Sequence, residues 1–147
     1  MNNICLNIIP ACELSTSHLI KEYKEIHNVI SQHINTKNAP IGYCVGEDNI
    51  KWARKHSLFV LNRYKELCDE ISYRGFVVNY PYENLVKVYN TEVEIENKND
   101  YIPTDEDIDL NRCKIIEKIK KKPMAYTWNT RQPPFYYLKL IDEDIIR

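Results

Sequence analysis

Apolar residues recur every three or four positions in one stretch of the chain, at Leu19, Tyr23, Ile26, Ile30 and Ile34. This spacing is typical of an α-helix that buries one face, because side chains three and four positions apart lie on the same side of a helix. Serine and threonine at positions 15–17 supply N-cap side chains, so we predict a helix over residues 15–33. Only three of the 147 residues are glycine, and alternating strand patterns are scarce. The chain is therefore expected to be all-α.

The same spacing predicts two further helices. The second covers residues 48–73 and stops before Gly75, and its core stripe is Phe59, Val60, Tyr64, Leu67 and Ile71. The third begins after Thr104, which forms a variant of the capping box with Asp107, and isoleucines at helical spacing continue it to Pro123.

The remaining segments show no clear helical period. Residues 76–100 are expected to be irregular, with a short extended piece at residues 86–89. The tail is expected to be loop-like and to pack over the core or offer a stacking surface, because it concentrates Tyr126, Trp128, Phe135, Tyr136 and Tyr137. We therefore predict a single compact domain over residues 1–147, with three main helices, irregular loops and an aromatic carboxy-terminal tail.

The composition is typical of a globular protein. No apolar run approaches the ~20 residues of a membrane span, and we see no secretory signal in residues 1–10, so we expect the protein to stay inside a cell, in the cytoplasm or nucleus. The five cysteines are irregularly spaced without a CxxC pair, which disfavours a disulfide framework or a zinc site. No metal or organic cofactor is implied, since no glycine-rich phosphate loop is present either. We expect a monomer.

The net charge of the chain is −1, whereas most nucleic-acid binders carry an excess of basic residues. The distribution of charge matters more than its sum, however, because binding depends on the local field. Two segments are locally basic, namely residues 51–56 and the third helix from Arg112 to Lys122. These two segments could therefore form a positively charged face.

Three segments, in order along the chain, carry a resemblance to a known family. The first is Asn7-Ile8-Ile9-Pro10, followed by Glu13-Leu14 and by His-Leu-Ile-Lys-Glu-Tyr-Lys-Glu-Ile at residues 18–26. The second is residues 46–76, which end in Tyr-Arg-Gly-Phe, and the third is Asp100-Tyr101-Ile102-Pro103 with Asn111-Arg112 and Lys122-Pro123. Together they cover about two-thirds of the chain. They resemble the pyrimidine-dimer DNA glycosylases of the phage endonuclease V type.

The resemblance implies a helical DNA-repair enzyme that acts on double-stranded DNA. Members of the family bind a cyclobutane pyrimidine dimer, kink the duplex and flip out a base opposite the lesion. Their amino-terminal amine attacks the sugar C1′ and releases the base, and the imine then undergoes β-elimination, which cuts the strand. The resemblance thus implies both N-glycosylase and abasic-site lyase activity, and it matches the assisting glutamate to Glu25.

Glu25 can also be judged from the spacing alone. His18, Glu22 and Glu25 form one stripe of the first helix, offset from the apolar stripe, so we expect Glu25 to face away from the main core. Such a stripe is usually a solvated charged face, whereas the resemblance makes Glu25 a catalytic candidate. A carboxylate there would stabilise an iminium charge and move protons.

The amino terminus departs from the family, which begins Met-Thr-Arg. An ungapped alignment through Asn7 places Ile4 at the threonine position and Cys5 at the arginine position. A bulge before Glu13 would instead put Asn2 at the nucleophile position, and a fold-back of the leading residues is the other arrangement. We take Asn2 as the candidate nucleophile, since an α-amine of pKa near ~8 keeps a neutral fraction at physiological pH.

The resemblance also implies DNA contacts from His18, Lys24, Lys114, Lys118 and Trp128. Lys24 stands where the family has arginine, so it keeps the charge but loses bidentate phosphate geometry. Lys114 and Lys118 lie four residues apart on one helix face, as phosphate contacts require, although an ordinary solvated face explains them equally well.

A second hypothesis accompanies the enzyme. The acidic balance and the changed amino terminus favour a catalytically impaired homologue that acts as a nucleic-acid or protein binding module. A helical interaction protein with chance similarity is a third hypothesis, which the ordered motifs disfavour.

Overall fold

A computed structural model describes residues 6–146 of the chain, with side chains through residue 142. Its described part contains six α-helices and no strand, which confirms the all-α class. The helices are α1 (Thr16–Ser31), α2 (Asn49–Lys55), α3 (Ser57–Tyr73), α4 (Tyr82–Glu92), α5 (Asp105–Lys120) and α6 (Phe135–Ile146). The predicted three main helices are α1, α3 and α5, which are the longest.

Helix α1 begins and ends close to where its spacing places it. The Ser15 side chain accepts a hydrogen bond from the backbone N–H of His18, as an N-cap residue does. Leu19, Ile26 and Ile30 are fully buried, so the apolar stripe faces the core. The helix packs mainly against α3 and α4.

The predicted second helix is in fact two helices, because the chain bends at His56. This residue leaves helical geometry, with φ −116° and ψ 50°. Two backbone N–H groups in the first turn of α3, those of Leu58 and Phe59, donate to the Asn99 carbonyl at 3.2 and 3.3 Å. A distant loop therefore caps α3, which compensates for the hydrogen bonds that the bend removes.

Arg54, in one of the two locally basic segments, points into the protein. It is 1% exposed, and its guanidinium donates to the carbonyls of Val29, Ile30 and Gln32 at 2.8–3.0 Å. It also pairs with Glu94 at 3.1 Å. Arg54 thus satisfies the last carbonyls of α1, and residues 51–56 do not form a positive face as a unit.

The prediction that residues 76–100 are irregular is wrong over its middle part. Residues 86–89 are helical and belong to α4, which follows Pro81. Leu85 and Tyr89 lie four positions apart and are buried against the core. The β-branched Val86 and Val88 suggested an extended piece, but burial of the helical face determines the structure.

Helix α5 confirms the predicted capping box, with Thr104 accepting from Asp107 N–H and Asp107 accepting from Thr104 N–H.

The tail is not a loop, because residues 135–146 form α6. Its Tyr137 ring packs 4.1 Å from the Trp128 ring, and both residues are buried. Within the described residues, no helix is long and apolar enough to cross a membrane.

Candidate functional site

The amino-terminal segment, residues 6–9, runs through the core with its backbone held by side chains of distant elements. Leu6 N–H donates to Asn49 Oδ1 at 2.6 Å, and the Leu6 carbonyl accepts from the Tyr43 hydroxyl at 2.9 Å. The N–H groups of Ile8 and Ile9 both donate to Asn111 Oδ1, at 2.7 and 3.0 Å. Burial of a segment without its own secondary structure requires such partners for its backbone.

A buried ion pair between α1 and α3 lies beside this segment. Arg63 donates to both carboxylate oxygens of Glu22, at 2.9 and 3.1 Å, and the two side chains are each 2% exposed. Burial alone lowers the pKa of Arg63, but the adjacent Glu22 and Glu66 carboxylates together outweigh that effect and raise it. Arg63 also donates to the Ile9 carbonyl, and Glu22 accepts from Asn7 Nδ2 at 2.9 Å. The pair therefore fixes the position of the amino-terminal segment on α1.

The stripe of His18, Glu22 and Glu25 is thus not a solvated face. Glu22 is buried, and both His18 and Glu25 are half-buried. Glu25 follows Glu22 by three residues on the same side of α1, about 4.5 Å further along the helix axis. Among the described residues, Glu25 has no hydrogen-bond or ion-pair partner, so its carboxylate is not committed to a structural role.

His18 packs against Tyr126 and lies within electrostatic reach of Lys118, so α1, α5 and the chain after α5 come close together there. The His18 ring stacks on the Tyr126 ring with 4.9 Å between centroids. Burial, followed by the positive charges of Lys118 and Lys21, lowers the pKa of His18 to about 4. Its Nδ1 is buried and has no hydrogen-bond partner among the described residues. His18 is consequently neutral at physiological pH and lies in a locally positive field.

The lysines predicted to contact DNA remain accessible. Lys24 is exposed and Lys118 is half-buried, and neither forms an ion pair within the part of the chain that the structure describes. Lys114 is exposed and approaches Glu117 only at 4.0 Å, the outer limit of an ion pair. The structure brings the charge of Lys118 within electrostatic reach of His18, and Lys24 directly precedes Glu25 in the sequence.

Trp128 requires a correction. Its side chain is 2% exposed, its Nε1 donates to the Glu13 carbonyl at 2.9 Å, and its ring packs on Tyr137. A stacking contact with a base needs an exposed ring face, which this ring does not offer. Trp128 is therefore a core residue in this conformation. The candidate nucleophile Asn2 lies outside the described residues.

The structure also shows an acidic cleft of about 400 Å³. Its lining includes Glu66, Asp69 and Glu70, with Arg131 paired to Glu70 at 2.7 Å and stacked on the Tyr73 ring at 3.9 Å. Each of these carboxylates lies in an ion pair, and Arg131 is itself paired with Glu70, so the lining residues offer no unpaired cation to a phosphate backbone. Among the described residues, no group of three or more histidine, cysteine or acidic side chains is arranged to hold a metal.

A family model described as pyrimidine dimer DNA glycosylase matches residues 1–84, which span the amino-terminal segment, α1, α2 and α3. The chain belongs to this family. Its function is accordingly that of a DNA-repair glycosylase of the pyrimidine-dimer type, and DNA is its partner. The match ends before α5, so Asn111, Lys114 and Lys118 lie outside it. No curated protein matches the chain.

The grouping of Asn7, Glu22, Arg63 and Asn111 was not predicted from the sequence. Asn7 and Asn111 stood among the residues that carry the resemblance, and Glu22 was assigned to a solvated stripe. The only signal in the sequence was the family motif, because buried polar pairs have no period of their own.

Proposed function

We propose that this family member is a DNA N-glycosylase with abasic-site lyase activity on pyrimidine-dimer DNA, acting through an imine on its amino-terminal amine. The observation that carries the proposal is the position of Glu25. It is a half-buried carboxylate without a described partner, one helical turn beyond the residue that holds the amino-terminal segment.

Chain length supports this placement of the amine. Asn7 is bonded to Glu22, and the five residues ahead of Leu6 span at most ~17 Å when fully extended. Glu25 lies only about 4.5 Å beyond Glu22 along α1. An amine on Met1 or Asn2 is therefore within reach of the Glu25 carboxylate. We take Asn2 as the nucleophile, exposed by removal of Met1.

The chemistry follows from these two groups. The neutral amine attacks C1′, the glycosidic C1′–N bond breaks, and the base leaves with the bonding electrons and takes up a proton. Opening of the sugar gives an iminium cation, which acidifies the C2′ proton. Removal of that proton expels the 3′ phosphate by β-elimination. Glu25 stabilises the iminium charge and relays protons in both steps.

Duplex DNA lies, in this proposal, across the faces of α1 and α5 that carry Lys24, Lys114 and Lys118. These lysines neutralise phosphates, and His18 contributes a neutral ring beside Lys118. The local charge matters more for DNA binding than the net charge of −1, and neither Lys24 nor Lys118 forms an ion pair among the described residues. A Lys118→Ala variant should lower the slope of binding against log salt by about one.

The test is borohydride trapping on a duplex that carries an abasic site. We expect a covalent adduct that mass spectrometry maps to the amino-terminal peptide. Glu25→Gln, which preserves side-chain shape, should slow trapping by about 10²–10⁴-fold, the range of acid–base catalysis. The exposed Glu96→Gln makes the same chemical change elsewhere and should trap at the wild-type rate.

A second candidate is a binding module that has lost catalysis, and one observation favours it: Ile4 and Cys5 stand where the family has threonine and arginine. Under this candidate, binding to the duplex persists without an adduct. An adduct on a lysine peptide would contradict the amino-terminal mechanism. Absence of both binding and adduct would refute both candidates.

A further inference from the structure

Asn111 uses its whole carboxamide to hold the amino-terminal segment. Its Oδ1 accepts from the backbone N–H groups of Ile8 and Ile9, and its Nδ2 donates to Asn7 Oδ1 at 2.8 Å. Asn111 is fully buried. Asn7 in turn donates to Glu22. The two side-chain amides thus form a row of hydrogen bonds. The orientation of each amide is fixed, because backbone N–H donors lie at one end of the row and a carboxylate lies at the other.

This arrangement specifies asparagine at position 111. A carboxylate there would accept from the two N–H groups but would place an oxygen against Asn7 Oδ1, and an aliphatic side chain would leave both N–H groups unpaired in the core. A turned-over Asn7 amide would lose its bond to Glu22. The register of residues 6–9 therefore depends on the carboxamide of Asn111.

The same helix carries the two lysines assigned to phosphate contacts. Lys118 follows Asn111 by seven residues, which places it about 10 Å further along α5 and only about 20° around its axis. Lys114 lies between them. Helix α5 thus connects the docked DNA backbone to the segment that leads to the reacting amine, and its rigidity sets the distance between them.

We propose that Asn111 is a positioning residue that fixes where the reacting amine lies relative to DNA bound on α5. The inference rests on the proposed function. Loss of the Asn111 carboxamide should let residues 6–9 move while the phosphate contacts remain. A displacement of about 1 Å at a reacting group lowers the rate by about 10²-fold, so the chemical step should suffer and binding should not.

The experiment measures two quantities on one abasic-site duplex: the Kd by fluorescence anisotropy, and the single-turnover trapping rate at saturating protein. The wild type is compared with Asn111→Ala and with Ile115→Val. Ile115 is a buried residue of α5 one turn later, and no hydrogen bond of the segment depends on its side chain. Thermal unfolding of all three proteins identifies the effect of stability alone.

We expect Asn111→Ala to lower the saturated trapping rate by about 100-fold and to change the Kd by less than about threefold. Ile115→Val should match the wild type in both quantities. If Asn111→Ala does not fold, Asn111→Ser supplies the same comparison, because its short hydroxyl cannot bridge both backbone N–H groups and Asn7.

A wild-type rate in the folded Asn111 variant would overturn the inference while leaving the imine mechanism intact. Parallel losses of rate and affinity, shared by Ile115→Val in proportion to stability, would overturn it too, because they indicate a merely structural role. If the wild type itself forms no adduct, the proposed function fails and the inference falls with it.

Discussion

Removal of the Glu22 carboxylate should destabilise the protein far more than removal of an exposed carboxylate. Glu22 and Arg63 face each other at 2.9 Å with side chains that are 2% exposed. Loss of one partner from a buried pair costs about 3–5 kcal/mol, since the remaining charge stays out of water. Arg63 would keep the half-exposed Glu66 at 3.1 Å, so we expect Glu22→Ala to cost about 3 kcal/mol, at the lower end.

A matched control lies on α3 itself. Lys65 and Asp69 form an ion pair at 3.6 Å with side chains that are 58% and 71% exposed. Exposed pairs contribute about 0–1 kcal/mol, so Asp69→Ala should change the free energy of unfolding by no more than that. Both substitutions remove one carboxylate from an ion pair, and the two pairs differ in how deeply they are buried.

Urea unfolding followed by tryptophan fluorescence measures both variants, because Trp52 and Trp128 are buried and report loss of the core. We also expect the cost of Glu22→Ala to persist in 1 M salt, where an exposed pair is screened. Equal destabilisation by Glu22→Ala and Asp69→Ala would refute the reasoning. So would a cost of Glu22→Ala that disappears in high salt.

Two further predictions concern α5 and α1. Thr104→Ala removes the side chain that accepts from Asp107 N–H, and we expect it to lower the free energy of unfolding by about 1 kcal/mol in thermal melts; an unchanged melting temperature would contradict this role of the cap. His18 has a folded pKa of about 4 against 6.5 for an unperturbed histidine, so the unfolded state binds the extra proton between these values. Stability should therefore fall as pH drops from about 7 to about 4, and this contribution, at most about 3 kcal/mol, should be absent from His18→Gln. A constant difference in stability between wild type and His18→Gln across this pH range would refute the assignment.

The parts of the fold that depend on local sequence were predictable. Helix α1 follows from its apolar spacing and from Ser15, and the start of α5 follows from Thr104 and Asp107, because caps and amphipathic stripes act within one or two turns. The bend at His56 was not predictable in this way. It involves the carbonyl of Asn99, which lies more than 40 residues away and replaces the hydrogen bonds that a continuous helix would make.

The candidate site was predictable only in part, for a different reason. Periodicity treats every charged residue as a surface residue, and so it placed Glu22 on a solvated stripe. A charge becomes buried when a partner compensates it, and Arg63 lies 41 positions later in the chain. Asn111 is 104 positions from Asn7, so no local pattern joins them. Glu25 was found through the family motif, and its environment became clear only from its distance along α1 to Glu22.

The fixed register of residues 6–9 makes the length of the preceding segment a testable variable. Asn7 cannot slide without losing its bonds to both Glu22 and Asn111. Any adjustment of the amine must therefore come from the residues ahead of Leu6. Deletion of Asn2 and Asn3 withdraws the amine by up to about 7 Å, and we expect trapping on the abasic duplex to fall by about 100-fold or more with DNA affinity retained. Trapping at or above the wild-type rate would show that the leading residues do not set the position of the amine, and that Asn2 is not the nucleophile.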